Sequence, residues 1–178
     1  MSGRAFERVG AERVYAGRLV DVYNERFVHA DGEEVDREIV RHRGAVAVVA
    51  HDGRQLWLVR QPREAVDEAA LLEIPAGRLD VEGEEPLRCA QRELAEEIGR
   101  GARSWEPILT YYPSAGFTDE RLHLFLATDL YTHSADSGEN ERIEVVPWPL
   151  GRIGEAIDQC RDAKTLIGLF WLARRLNL

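Results

Sequence analysis

The chain has 178 residues, 44 per cent of them apolar, with four Trp, two Cys and a formal net charge of -9. That length holds one ordinary domain plus a short appended arm, and the apolar content describes a folded protein rather than a disordered one. The acidic balance argues against a nucleic-acid partner, because binding to a phosphate backbone rests on Lys and Arg releasing counterions.

Cys89 and Cys160 lie far apart and outside any CxxC pair, so neither a disulfide framework nor a thiolate zinc site is expected. The N-terminal "MSGRAFERVG" lacks an apolar core segment, and no run approaches the roughly 18 apolar residues of a membrane span. A cytoplasmic protein with no membrane partner is the expectation.

Taken in chain order, residues 12 to 42 nearly alternate: Leu19, Val20, Val22, Tyr23, Phe27 and Val28 flank polar positions, and Asp31-Gly32 signals a hairpin turn. This predicts a small N-terminal antiparallel β arm over residues 1–42. "GAVAVVA" (44 to 50), the turn "HDG" and "QLWLVRQ" (55 to 61) predict a second hairpin, more continuously apolar, as buried strands are. Pro86 with Leu87, Ala90, Leu94 and Ile98 predicts a helix stopped by Gly99.

Strand signals resume in "WEPILTYY" and "RLHLFLATDL", then in "IEVVPW" after the polar loop "THSADSGEN". "IGEAIDQC" and "AKTLIGLFWLARRL" close the chain as helices, with Asp162 as N-cap of the second. The order of elements gives an α/β sandwich, a mixed sheet covered by helices, over residues 43–178.

The stretch "IPAGRLDVEGEEPLRCAQRELAEEIG" (74 to 99) concentrates seven carboxylates with Glu73 just before it. Glu93 and Glu97, four apart, project from one helix face about 40° apart, while Leu94 and Ile98 point to the core. Glu96 lies on the same broad side. Like charges at this spacing cost a few tenths of a kcal/mol per pair unless a cation sits among them. An all-oxygen set suits Mg²⁺ or Mn²⁺, with the Ala76 carbonyl placed to complete the shell where Gly77 lets the backbone approach a ligand. The plainer reading is a solvated acidic face on which Arg92 makes local ion pairs.

Gly77, Glu84 and Arg92-Glu93-Leu94-Ala95-Glu96-Glu97-Ile98-Gly99 resemble the Nudix box of the Nudix hydrolases, and "LLEIPAG" resembles the ADP-ribose pyrophosphatase branch. Six residues rather than five separate Gly77 from Glu84, which implies a lengthened loop, and Arg100 stands where the box usually ends in an aliphatic residue. "RHRGAVAVVA", "LVRQPR", "YYPSAGFTDER" and "RDAKTLIGL" extend the resemblance over most of residues 41 to 169, with Ala115 in place of the branch's usual proline.

The resemblance implies a Nudix-type α/β/α sandwich and Mg²⁺-dependent hydrolysis of the diphosphate bond of ADP-ribose or a related nucleoside diphosphate sugar. Hydrolysis of GDP-mannose or a nucleoside triphosphate, or a non-catalytic Nudix-like ligand sensor, are the alternatives. It further implies Glu93, Glu96, Glu97 and Ala76 as metal ligands and Glu120 as general base, with Asp119 as its neighbouring competitor. Arg92 joins the catalytic set, and Glu73 the substrate pocket, both orienting other groups. Arg43 and Arg63 are the substrate-contacting arginines, with Arg41 and Arg60 as rivals. Phe27, Tyr112 and Phe117 either face the substrate or belong to the core. His42, His123 and Cys89 read as structural. In the family an arm of this kind is exchanged between subunits, so a homodimer is expected.

Overall fold

A computed structural model describes residues 5–133 and 142–178. The chain forms two compact units, Met1–Gly44 with Tyr112–Arg121, and Ala45–Tyr111 with Leu122–Leu178. The larger unit is a seven-stranded sheet with helices, and its elements in chain order are β4 (Ala45–His51), β5 (Gln55–Arg63), β6 (Glu68–Glu73), β7 (Ala76–Arg78), α1 (Pro86–Ile98), β8 (Arg100–Tyr111), β9 (Leu122–Thr132), β10 (Glu144–Pro149), α2 (Ile153–Gln159) and α3 (Ala163–Leu176). The numbering begins in the smaller unit with β1 (Phe6–Ala16), β2 (Asp21–His29) and β3 (Glu34–Arg41), an antiparallel sheet in that order.

The long path of the larger sheet runs β10-β5-β4-β9-β8, with β4 and β9 parallel and the remaining neighbours antiparallel. The near-continuous apolar run of β4 has a simple cause. Val46, Val48 and Ala50 pack with Cys89, Ala90, Leu94 and Ile98 of α1, whereas Ala47 and Val49 pack with Ile153, Ala156, Leu169 and Leu172 of α2 and α3. Both faces of the sheet are covered, so alternation in hydrophobicity is lost while alternation in direction remains. This is the mixed α/β sandwich expected from the element order.

The predicted β4–β5 hairpin exists only at its tip, where Ala50 pairs Trp57 and His51 pairs Leu56. Below the tip the strands part, and the chain that follows fills the gap. β6 pairs β5, with Val59 opposite Glu73, and β7 pairs β4, with Val46 opposite Gly77 and Ala47 opposite Ala76. Between them the Pro75 carbonyl accepts from the Val48 N–H at 2.8 Å. "LLEIPAG" is therefore strand, kink and strand, and it presents Glu73, Ala76 and Gly77 from within the sheet. Pro62 sits where the β5–β6 register shifts between Gln61 and Arg63, the place in a sheet that tolerates a residue without N–H.

The helix ends match their signals. Gly99 takes a left-handed φ of 64° and caps α1 through its N–H to the Ala95 carbonyl, and Asp162 accepts from the Thr165 N–H at 3.0 Å. Arg100, the departure at the end of the signature, places its guanidinium 4.3 Å from the Trp57 ring centre, a cation–π contact in a position where an aliphatic side chain would pack. β8 starts at Arg100, five residues earlier than its apolar pattern suggests.

In the smaller unit, β1 begins well ahead of the alternating pattern that marks the arm. All eleven of its residues are exposed, so no inward face stamps an alternation on the sequence. The polar loop "THSADSGEN" lies, from residue 134 onward, outside the described residues. No helix among the described residues is long and apolar enough to cross a membrane.

Candidate active site

The larger unit gathers most of the predicted site. α1 buries Glu93 and Glu97 to 8 and 7 per cent exposure along the same face as Leu94 and Ile98, so these carboxylates belong to its inner side. The Glu97 carboxylate accepts from the Ala76 N–H at 3.0 Å. The Glu93 carboxylate lies against Gly77: a β-carbon there would stand 1.9 Å from its Cδ and 2.1 Å from its Oε1. Gly77 thus makes room for a carboxylate, and no other residue type leaves that volume empty.

Arg92 answers the crowding of acid. Its guanidinium donates to Glu93 Oε1 at 2.7 Å, to Glu96 Oε2 at 2.9 Å, and through Nε and Nη2 to the two oxygens of Glu84 at 3.2 and 3.1 Å. The hydrogen bonds to Glu84 are the largest of the effects that raise the Arg92 pKa, and they hold Glu84 below its ordinary value. Glu84, eight residues from Arg92 in sequence, has no role that its spacing reveals; it is a support for that guanidinium. Cys89 lies beneath, fully buried, its thiol donating to the Arg78 carbonyl at 3.3 Å and its pKa pushed up to about 12 by burial and then by Glu93.

Among the described residues, no three His, Cys, Asp or Glu side chains are grouped as a closed metal shell. Two of the three expected carboxylates are engaged by Arg92 instead. The donor set nevertheless fits a hard divalent cation. It is all oxygen, it stands partly shielded on one helix face, and each carboxylate keeps lone pairs beyond those used by Arg92.

A second cluster in this unit surrounds Glu73, which is fully buried. Arg63 grips it with Nε at 2.6 Å and Nη2 at 2.7 Å, and Lys164 donates to Oε2. Burial by itself would raise the Glu73 carboxyl, but the Arg63 hydrogen bonds and the Lys164 charge outweigh it and hold the pKa below the ordinary range. Lys164 gives no signal in the sequence, where it is an ordinary lysine in the first turn of a helix. Arg60, the rival of Arg63, donates to the Ala70 carbonyl at 3.3 Å.

The smaller unit holds the remaining candidates. The loop 112–121 is tied to β3: the Val40 N–H donates to the Phe117 carbonyl at 2.7 Å and the Asp119 N–H to the Val40 carbonyl at 3.2 Å. Asp119 is consumed in this joint, accepting from the His42 N–H at 2.9 Å and from Arg41 at 3.0 Å. Among the described residues no such anchor holds the Glu120 carboxylate, whose Oε1 lies 3.7 Å from His42 Nδ1. That His42 nitrogen accepts from the Gly44 N–H at 3.0 Å.

Arg41 is an internal clamp between Glu25 and Asp119, whereas Arg43 is exposed and lines a cavity of about 220 Å³ with Arg18, Arg41 and His42. Phe27 and Phe117 line another cavity, of about 320 Å³, with Arg8, Arg41 and Asp119. Phe117 and Tyr112 are more than half exposed, so neither is a core residue. His123 bonds the Thr110 hydroxyl at 3.0 Å in the larger unit.

A mixed sheet between helices, with paired glutamates on one helix answering a glycine in the preceding strand, defines a hydrolase of the Nudix class. The NUDIX domain model matches residues 40–153, and the chain belongs to the Nudix family. It is 37 per cent identical over 169 residues to the ADP-ribose pyrophosphatase of Bacillus subtilis (strain 168), covering 92 per cent of this chain and 90 per cent of that one. It is 34 per cent identical over 177 residues to the methanol dehydrogenase activator of Bacillus methanolicus, covering 96 and 95 per cent. A solved structure described as an ADP compounds hydrolase superposes with a TM-score of 0.84 at 25 per cent identity, over 99 per cent of this chain and 97 per cent of that one. Nudix hydrolases generally need a divalent metal, in keeping with the oxygen donors on α1.

Proposed function

We infer that the protein hydrolyses the diphosphate of ADP-ribose or a closely related nucleoside diphosphate sugar, releasing AMP and ribose 5-phosphate from ADP-ribose. The observation that carries this reading is the seating of buried Glu93 and Glu97 on the backbone of Gly77 and Ala76. Two carboxylates are not buried side by side on a helix for stability alone. Mg²⁺, or Mn²⁺ in its place, held by Glu93, Glu96, Glu97 and the Ala76 carbonyl, would neutralise the diphosphate and lower the pKa of water.

The side chains carry the remaining tasks. Glu120 takes the proton of the attacking water as its oxygen bonds to phosphorus; the bond from that phosphorus to the bridging oxygen breaks, and the bridging oxygen leaves on the other phosphate. Arg63 and Arg43 contact the diphosphate, a task suited to planar guanidinium groups. Glu73 holds Arg63, and Arg92 aims Glu93 and Glu96. Two free, buried thiols and a nucleotide substrate fit a cytoplasmic protein.

Chromatography after incubation with ADP-ribose and Mg²⁺ should reveal AMP and ribose 5-phosphate in equal amounts. GDP-mannose and a nucleoside triphosphate belong in the same panel. Turnover of either of these, with none of ADP-ribose, would overturn the substrate assignment.

A further inference from the structure

The Glu73 cluster is more than an ion pair. Lys164 stands on the first turn of α3, its Nζ between Glu73 Oε2 and Asp162 Oδ2, the latter at 3.0 Å. Asp162 Oδ2 also accepts from the Thr165 N–H at 3.0 Å and the Thr165 hydroxyl at 2.6 Å. The Thr165 hydroxyl oxygen, itself fully buried, accepts from the Ile74 N–H at 2.9 Å. Ile74 follows Glu73 directly in the chain. The bonds therefore close a ring: Glu73 carboxylate, Lys164, Asp162, Thr165, and back through the Ile74 amide to Glu73.

A carboxylate inside such a ring has its position set from both ends, by its own backbone and by the cation in front of it. Arg63 docks on this fixed carboxylate through Nε and Nη2, and Nη1 takes no part in that pair. The Arg63 side chain is 40 per cent exposed although its partner is fully buried, so the fork is held at its base and open at its edge. The charge of Glu97 is among the influences that raise the Arg63 pKa, which puts the guanidinium within the field of the acidic helix.

We propose that Lys164 is a positioning residue: by closing the ring on Glu73 it fixes the orientation in which Arg63 presents Nη1 to the substrate diphosphate. The proposal rests on the reading that Arg63 contacts substrate. Lysine suits the post because its compact ammonium can meet two carboxylates at once, while arginine suits the next post because its planar fork can grip one carboxylate and still offer donors beyond it. Neither serves in the other's place.

The test is a double-mutant cycle on KM for ADP-ribose with Mg²⁺, using Lys164→Met, Arg63→Lys and the two together. Arg63→Lys keeps a cation against Glu73 but loses the outer donors, and is expected to raise KM about tenfold, the weight of one charge-assisted hydrogen bond. Lys164→Met is expected to raise KM by a similar factor in the natural background with little change in kcat, and to have no further effect on KM once Arg63 is lysine. Thermal stability, followed in parallel, should fall with Lys164→Met in both backgrounds, so loss of stability and loss of positioning are separated.

An equal KM effect of Lys164→Met in both backgrounds, or no KM effect at all, would overturn the proposal. Unchanged KM in Arg63→Lys would instead remove the Arg63 assignment beneath it. Lys164→Gln, which keeps an uncharged donor beside Glu73, serves the same cycle should Lys164→Met not fold.

Discussion

The Glu93 carboxylate occupies the space that a side chain on Gly77 would need. Sixteen positions apart in sequence, the two residues form one piece of geometry: β7 brings its backbone to the inner face of α1, and only the residue without a β-carbon lets the acid through. The glycine of the signature is thus explained by what it admits.

Gly77→Ala follows directly. With a methyl group 1.9 Å from the present Cδ, Glu93 must leave its seat. A stability loss of about 1–3 kcal/mol is expected from the overpacking, together with loss of most activity on ADP-ribose. Denaturant unfolding and steady-state turnover measure the two effects; a variant with full activity would show that the position of Glu93 is immaterial to the chemistry.

Glu97→Gln keeps the shape of the side chain and an oxygen for the Ala76 N–H, but removes the charge. Turnover should fall by at least a hundredfold, with circular dichroism unchanged. Chelation of divalent ions should silence the natural protein, and added Mg²⁺ should restore it. Unchanged turnover in Glu97→Gln would mean that the metal ligands are misassigned.

Glu73 links the second cluster to pH. Its pKa lies below the ordinary value of 4.5 in the folded chain, so its ion pairs contribute stability that is complete above the unfolded value and is lost as pH falls through the folded one. Chemical unfolding between pH 7 and pH 3 should show stability declining below about pH 4.5, and the decline should be shallower in Glu73→Gln. Equal slopes in both proteins would exclude Glu73 as the source.

The arm bears on assembly. Phe6, Val9, Val14 and Tyr15 of β1 are each at least half exposed, on an edge strand eleven residues long. Long apolar edges of this kind are ordinarily covered, and a second copy of the chain is the occupant we expect. Light scattering at micromolar concentration should give twice the mass of 20.2 kDa, and Val14→Lys should shift it toward the monomer; a monomeric natural protein would refute the dimer.

Local rules make much of this protein legible. Pro86, the apolar spacing and Gly99 delimit α1; Asp162 caps α3; the turn at Asp31-Gly32 joins β2 to β3. The four-residue spacing of Glu93 and Glu97 is enough to put two acids on one face of a helix. Such features depend on residues within a turn or two of each other, where periodicity and capping act.

What stays open in the sequence depends on distant partners. Whether Asp119 or Glu120 keeps its carboxylate unanchored is decided by Arg41 and the His42 amide, 78 and 77 residues away from Asp119. That Arg63 rather than Arg60 of β5 grips a buried acid is decided by Glu73, and Glu73 in turn is held by Lys164, 91 residues further on. The exposed strand β1 leaves no pattern at all, because a strand that buries nothing in its own chain imposes no choice on its side chains. The sequence determined the acids, the glycine and the helix that carries them through short-range sterics and hydrogen bonding; only the tertiary structure, by bringing charges together across the sheet, decided which of those groups hold the site and which are held by it.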